Sequence, residues 1–194
     1  NLGDISRTYT NLIVEANKGG DNLPIALVGW SLGGKIALEV AWLLEQRGMT
    51  NVFCFLLDAF LLSPEQTKND VEPTENTIRQ MMLEAGMAGD HVESVLKAVS
   101  FEDEIASASI SGKLEHTQVV LFKAMQVTEN LDSKFRRMWR DRVDVPDNGL
   151  AKVVSLKSLR IVRLENYHHY NMLNAAPAIA NVMETTVYGD DHTN

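Results

Sequence analysis

Apolar residues recur near the start of the chain at Ile5, Tyr9, Leu12, Ile13 and Ala16. That spacing, close to 3.6, predicts an amphipathic helix. Asp4 precedes the pattern and is placed to cap the free N–H groups of its first turn, and Gly19-Gly20 ends it. Pro24-Ile25-Ala26-Leu27-Val28 is then a short continuous apolar run, expected of a strand buried on both faces of a parallel sheet. Gly29-Trp30-Ser31-Leu32-Gly33-Gly34 leads at once into a second helical pattern, Ile36, Val40, Leu43 and Leu44, closed by Arg47-Gly48. Gly48 suits the left-handed residue after a helix end, and Arg47 complements the negative end of the helix dipole. Val52 to Leu57 is a second apolar strand, ended by Asp58. Helix, strand, helix, strand with short connections predicts an α/β chain with parallel pairing.

From about residue 59 to 117 the pattern changes. Pro64 and Pro73 break it early, and no strong strand is present. Three helical patterns follow: Ile78/Met81/Met82/Ala85 ended by Gly86, then Val92/Val95/Leu96/Val99 opened by Asp90 and Glu93, then a weaker one from Phe101 to Ile110. An all-helical insert between two sheet strands is expected to form a lid over a site, the plainer reading being crossover helices. Gln118 to Phe122 resumes the strand pattern, and a polar helical stretch near Lys134–Arg140 and a Pro146/Gly149 loop come after it. Leu159 to Leu164 alternates with period two, as an edge-type strand does. A closing helix carries Ile179, Val182 and Met183.

Composition narrows the function classes. The chain of 194 residues suits one domain, and its net charge of −8 is a poor match for nucleic acid or an anionic membrane surface. No apolar run is long enough to span a bilayer. Cys54 is the only cysteine, so no internal disulfide and no cysteine-based zinc site is expected, and the expected setting is cytoplasmic. Beginning at Asn1 without Met or a signal-like segment, the chain reads as a piece of something longer.

The strongest chemical signal is Gly29-x-Ser31-x-Gly33 between a buried strand and a helix, the pattern of a nucleophile elbow. A tight strand-to-helix turn lifts the serine hydroxyl above the sheet edge. Glycines at the flanking positions give the backbone room, and Gly34 lets the helix approach the strand. The helix N-terminus then favours a developing oxyanion, with the Leu32 N–H as one donor. A serine nucleophile needs a base, usually histidine. His91 falls inside a helix, His116 in a polar stretch before a strand, and His192 in a polar tail. His168 and His169 follow the last strand, where the base is expected in chain order, and spacing leaves the choice between them open. The acid that would orient the imidazole is read as Asp58. It ends the strand after the elbow helix, at the sheet edge where ligands of open α/β sheets bind. Glu129 and Asp132 are the alternatives, in a polar stretch that reads as a solvated face.

Leu27 to Glu39, LVGWSLGGKIALE, resembles the elbow of the type I thioesterase domains that end nonribosomal peptide synthetases. In that family the acid follows the strand after the elbow, as Leu57-Asp58 does here. The family's histidine is followed three and four residues later by apolar residues, and His169 with Met172-Leu173 fits, which makes His169 the base. Tyr167 stands where the family usually has Gly. The resemblance implies an α/β-hydrolase fold over residues 1–194, a mostly parallel sheet flanked by helices with a helical lid at 59–117. It also implies several strands ahead of the first helix that are absent from this chain, one of whose loops normally gives the second oxyanion N–H. The implied activity is release of a peptidyl or acyl chain from a carrier domain, through an acyl-enzyme on Ser31, by hydrolysis or macrocyclisation. The carrier domain is expected in the same polypeptide, delivering substrate on its phosphopantetheine arm, with no cofactor or metal on this chain. Met81, Met82, Met87, Leu61 and Leu62 suit an adaptable apolar acyl site or plain lid packing. The rival readings are a free-standing esterase or repair (type II) thioesterase, and a noncatalytic α/β-hydrolase-like binding module.

Overall fold

The computed structural model describes residues 1–18, 23–61, 75–84, 89, 91–94, 102–127 and 142–189. Among them the elements run α1 (Leu2–Ala16), β1 (Ile25–Trp30), α2 (Leu32–Gln46), β2 (Val52–Leu57), α3 (Glu75–Glu84), α4 (Glu102–Ser107), β3 (Gln118–Gln126), β4 (Leu159–His168) and α5 (Ala176–Tyr188). Short 3-10 turns at Leu150–Lys152 and Met172–Ala175 flank β4. The four strands form one sheet in the order β1-β2-β3-β4, and every pairing is parallel.

Helices cover the two faces of the sheet. On one, α2 buries Ala37, Leu38, Val40, Ala41 and Leu44 against Cys54, Leu56, Val119 and Leu121. On the other, Met172, Ala175 and Ile179 meet Phe53, Phe55, Leu57, Val120 and Phe122. Both sets of side chains on β2 are therefore buried along its whole length, as a continuous apolar strand requires.

Strand β1 differs from its expected two-sided burial. Ile25 and Leu27 pack into the α2 core, but Val28 is 52% exposed. The second core is built on β2, β3 and β4, and among the described residues β1 joins it through Trp30 at its C-terminal end. The cap of α1 also differs. Asn1 is the N-cap, its side chain accepting from the Asp4 N–H at 2.9 Å. Asp4 lies inside the first turn and accepts from the Asn1 amide at 2.8 Å, a reciprocal arrangement of the capping-box kind. Gly48 has φ 77°, the left-handed residue expected after α2.

Strand β4 runs four residues beyond the predicted Leu164, to His168, with an irregularity in its pairing between Ala124 and Gln126. Tyr167 therefore sits in the strand, packed against the second core. Of the three helices expected between residues 59 and 117, α3 and α4 are present, and residues 91–94 are helical. Gly86, Met87, Asp90, Val95, Leu96, Val99 and Leu62 lie outside the described residues, as do Lys134–Arg140, Gly19 and Gly20. The C-terminal part of this stretch is tied to α2. The Lys35 ammonium donates to the Ala106 carbonyl, Glu39 accepts from the Ser111 N–H at 2.9 Å and from its hydroxyl, and Glu45 accepts from the N–H groups of Glu115, His116 and Thr117. Leu61 and Ile110 pack into the α2 core, which favours the packing role for Leu61, and Met82 is buried.

Candidate active site

Parallel strands bring their C-terminal ends to one edge of the sheet, and the predicted residues meet there. Trp30 and Leu57 are register partners at the ends of β1 and β2. Ser31 follows Trp30 directly, and its N–H donates to the Leu57 carbonyl at 2.9 Å. Its backbone is at φ 52°, ψ −121°, a conformation that costs an L-residue roughly 1–3 kcal/mol. The turn holds because the glycines around it allow close approach. A Cβ on Gly29 would lie 2.4 Å from the Gly33 carbonyl oxygen, and one on Gly34 would lie 2.3 Å from the Ala59 Cβ. Gly33 differs from expectation, since a Cβ there meets nothing within 4 Å. The crowded positions are the strand residue and the second helical glycine. Leu32 is the first residue of α2, so its N–H is among those with no intrahelical acceptor.

Asp58, the residue after β2, is 2% exposed and has φ 47°. Its N–H donates to the Phe122 carbonyl at 2.8 Å, which fixes it across the β2–β3 gap. Its Oδ1 accepts from the Ala124 N–H at 3.2 Å and from the Asn148 amide at 3.4 Å. Its Oδ2 lies 2.9 Å from Nδ1 of His169, the first residue after β4. His169 is itself buried. With two donors already on Oδ1, the carboxylate acts as acceptor for His169 too. The Nδ1 then carries the proton, and Nε2 is left as the basic nitrogen.

Aromatic rings set the plane of that imidazole. Trp30 stacks on it with centroids 5.3 Å apart and an interplanar angle of 26°, and the indole N–H donates to the His169 carbonyl at 3.3 Å. Tyr170 meets the ring edge-on at 5.0 Å, and Phe60 is tilted 6.3 Å away. The residue before Ser31 thus touches His169 through both ring and backbone. His168 is turned to other work. Its N–H donates to the Asn171 side chain at 2.8 Å, and its Nδ1 accepts from the Tyr170 N–H at 3.2 Å. Burial first, then the neighbouring His169, hold His168 below the ordinary imidazole value.

Of the other candidates, His116 donates its N–H to Glu45 ahead of β3, and His91 begins the helical residues 91–94. Glu129, Asp132 and His192 lie outside the described residues. Three contributors escaped the sequence reading. Trp30 stood inside the motif but without a role. Lys123 interrupts the apolar run of β3 and is 1% exposed. Asn148, with φ 52°, precedes Gly149 as a turn-forming pair. A charge inside a buried strand and an Asn-Gly turn were the available signals. Among the described residues, no group of three His, Cys, Asp or Glu could hold a metal ion, and no helix is long and apolar enough to cross a membrane.

A strained serine on a strand-to-helix turn, beside a buried carboxylate–imidazole pair at the C-terminal edge of a parallel sheet, is the arrangement of the α/β-hydrolase fold. The chain matches the thioesterase domain family over residues 9–142, more than half of its length, and it belongs to that family. The matched region contains Ser31 and Asp58 and ends before His169. Among solved structures, the chain resembles the NocB thioesterase domain in covalent complex with a fluorophosphonate nocardicin G analogue. The TM-score is 0.61 at 19% identity, covering 96% of this chain and 73% of that one. It also resembles SrfTE, the thioesterase domain that cyclises the lipopeptide antibiotic surfactin, with a TM-score of 0.60 at 16% identity over 93% of this chain and 74% of that one. Human thioesterase 2 gives 0.58 at 18% identity over 96% and 84%. No match was found among curated protein sequences.

Proposed function

We propose that this thioesterase domain releases a peptidyl or acyl chain from the phosphopantetheine thioester of a carrier domain, through an acyl-enzyme on Ser31. The observation that carries the reading is the buried Asp58–His169 hydrogen bond of 2.9 Å, set beside a serine whose preceding residue stacks on the same imidazole. In this mechanism His169 Nε2 takes the Ser31 proton as the hydroxyl oxygen attacks the thioester carbonyl. Asp58 holds the imidazole in the Nδ1–H form and stabilises the imidazolium. The Leu32 N–H, at the positive end of α2, donates to the oxyanion. Collapse of the tetrahedral intermediate breaks the carbon–sulfur bond, and the departing thiolate takes the proton from His169. The acyl-enzyme is then cleaved by water, or by an amine or hydroxyl of the same acyl chain, which gives a linear acid or a macrocycle. The resemblance to SrfTE supports the second outcome as a possibility of the fold, and the carrier is proposed to be part of the same polypeptide.

Labelling with a fluorophosphonate tests the central claim. A stoichiometric adduct on Ser31, absent in Ser31→Ala, is expected. A folded protein left unmodified would sink the catalytic reading and leave a binding module. A simple ester hydrolysed as fast as a carrier-borne thioester of the same chain would instead identify a free-standing esterase.

A further inference from the structure

The acid of the site is backed by a buried polar chain that the proposed reaction does not itself use. Lys123 lies in β3, next to the Ala124 whose N–H meets Asp58. Its ammonium is almost entirely shielded from solvent. It donates to the Asn148 Oδ1 at 2.9 Å, to the Arg142 carbonyl at 3.3 Å and to the Val145 carbonyl. Asn148 is also 1% exposed. Its amide nitrogen donates to the Ala59 carbonyl at 3.0 Å and to Asp58 Oδ1 at 3.4 Å, and its own carbonyl accepts from the Leu61 N–H at 2.9 Å. Asn148 therefore grips the segment that begins with the acid at three points, Asp58, Ala59 and Leu61.

The chemistry of the partners fixes the direction of this chain. A lysine ammonium has donors and no acceptor, so the Asn148 face turned to it must be the oxygen. The amide nitrogen is then forced toward Asp58 and Ala59, and turning the amide over would set donor against donor at Lys123 and acceptor against acceptor at Asp58 and Ala59. Burying an ammonium is costly, and burial does hold Lys123 below the ordinary lysine value, with the charge of Asp58 acting the other way. A methionine would fill β3 without that cost. The ammonium is explained if its use is to hold the loop that aims the carboxylate.

We infer that Lys123 and Asn148 are positioning residues for Asp58: Lys123 orients the Asn148 amide, and Asn148 in turn holds Asp58 Oδ1 so that Oδ2 alone faces His169. The inference rests on the catalytic reading of Ser31, Asp58 and His169. The charged groups around the pair are Asp58, Asp144, Asp147 and Arg163 near Lys123, and His168 beside His169.

The test uses Lys123→Met, which keeps volume and removes the donors, and Asn148→Gly, which keeps the positive φ and removes the amide. Steady-state kinetics on an acyl-N-acetylcysteamine thioester are measured across pH, with circular dichroism confirming the fold. Each variant is expected to lower kcat about ten- to hundredfold, as a displaced catalytic group does, with KM unchanged and the acidic limb of the kcat profile displaced. The double variant should be no worse than the worse single one, because both act through one path. Folded variants with wild-type kcat and pH profile, or losses that multiply in the double variant, would overturn the inference. If Lys123→Met does not fold, Asn148→Gly decides alone by the same criteria. Ser31→Ala and His169→Ala in the same assay keep the two claims apart. If those retain turnover the catalytic reading has failed, and if only they lose it the positioning inference has failed.

Discussion

Asp58 Oδ2 and His169 Nδ1 lie 2.9 Å apart across 111 residues of chain, and among the described residues the hydrogen-bond partners of the carboxylate, Ala124, Asn148 and His169, all act as donors. That one-sidedness predicts the outcome of Asp58→Asn. The substituted amide must turn its NH2 either toward the Ala124 and Asn148 N–H groups or toward His169. The first breaks two hydrogen bonds. The second makes Nδ1 an acceptor and moves the proton to Nε2, where it blocks the base. A loss in kcat of about 10⁴-fold with the fold retained is expected, read in a thioester assay alongside a thermal melt. An unchanged rate would remove Asp58 from the mechanism.

The glycines of the turn are not equivalent. Gly34→Ala would push a methyl to 2.3 Å from the Ala59 Cβ, forcing α2 away from the segment that follows Asp58. Overpacking of this kind costs about 1–3 kcal/mol, and activity should fall with it because the turn moves. Gly33→Ala meets open space at a helical position, where alanine is favoured over glycine by about 1 kcal/mol. Urea melts should show Gly34→Ala destabilised and Gly33→Ala equal to wild type or more stable. The opposite order would mean that the close approach at Gly34 is relieved elsewhere.

Cys54 is fully buried in the α2 core, and burial pushes its thiol up to about 12. Reactivity needs a thiolate and access, and Cys54 has neither. Iodoacetamide at mildly alkaline pH should leave the folded protein unlabelled and modify one thiol in denaturant. Rapid labelling of the native protein would show that β2 opens far more often than its burial implies.

Glu45 in the last turns of α2 accepts from three consecutive N–H groups ahead of β3, at 3.1, 3.0 and 2.6 Å. Burial raises this carboxyl, but the hydrogen bonds from Thr117, Glu115 and His116 outweigh it and leave it below the ordinary value of 4.5. A carboxyl lowered by folding stabilises the protein above its unfolded value, and that contribution disappears as pH falls through the folded one. Glu45→Gln should therefore be less stable than wild type at neutral pH, by about 1 kcal/mol after allowance for the solvent around a half-buried group. The gap should close below pH 4.5. Denaturant melts of both proteins across this range measure it, and a gap independent of pH would rule out the charge as its source.

The residues of the proposed reaction were legible where local pattern and local geometry coincide. The glycines around Ser31 and the six apolar residues before Asp58 announce a turn and a strand end, and the parallel order then forces both to one edge. Burial of β1 was misread for a different reason. Apolar composition reports what a strand can tolerate, while Val28 is exposed and, among the described residues, β1 joins the second core through Trp30. The cap of α1 was displaced by three residues because Asn1 and Asp4 are both good cap residues and satisfy each other. Lys123 and Asn148 lie 25 residues apart, on a strand and a turn with no shared periodicity. Only the tertiary fold reveals that they meet.

The two adjacent histidines give the sharpest division of labour. Alternation along β4 turns neighbouring side chains to opposite sides, and the strand ends at His168. His169, just beyond it, enters the buried edge with Asp58 and Trp30, while His168 closes the Asn171 turn through its N–H and its Nδ1. His169→Ala removes the proposed base and the imidazole bonded to Asp58, so thioester turnover should fall by several orders of magnitude. His168→Ala removes one hydrogen bond to the Tyr170 N–H, worth about 1 kcal/mol. It should lower stability slightly and leave kcat within about threefold of wild type, since a contact of that size supports the turn and not the transition state. Kinetics and melts of the two variants side by side make the comparison. If His168→Ala were the silent-enzyme variant and His169→Ala the active one, the imidazole bonded to Asp58 would be structural and the base would lie one residue earlier.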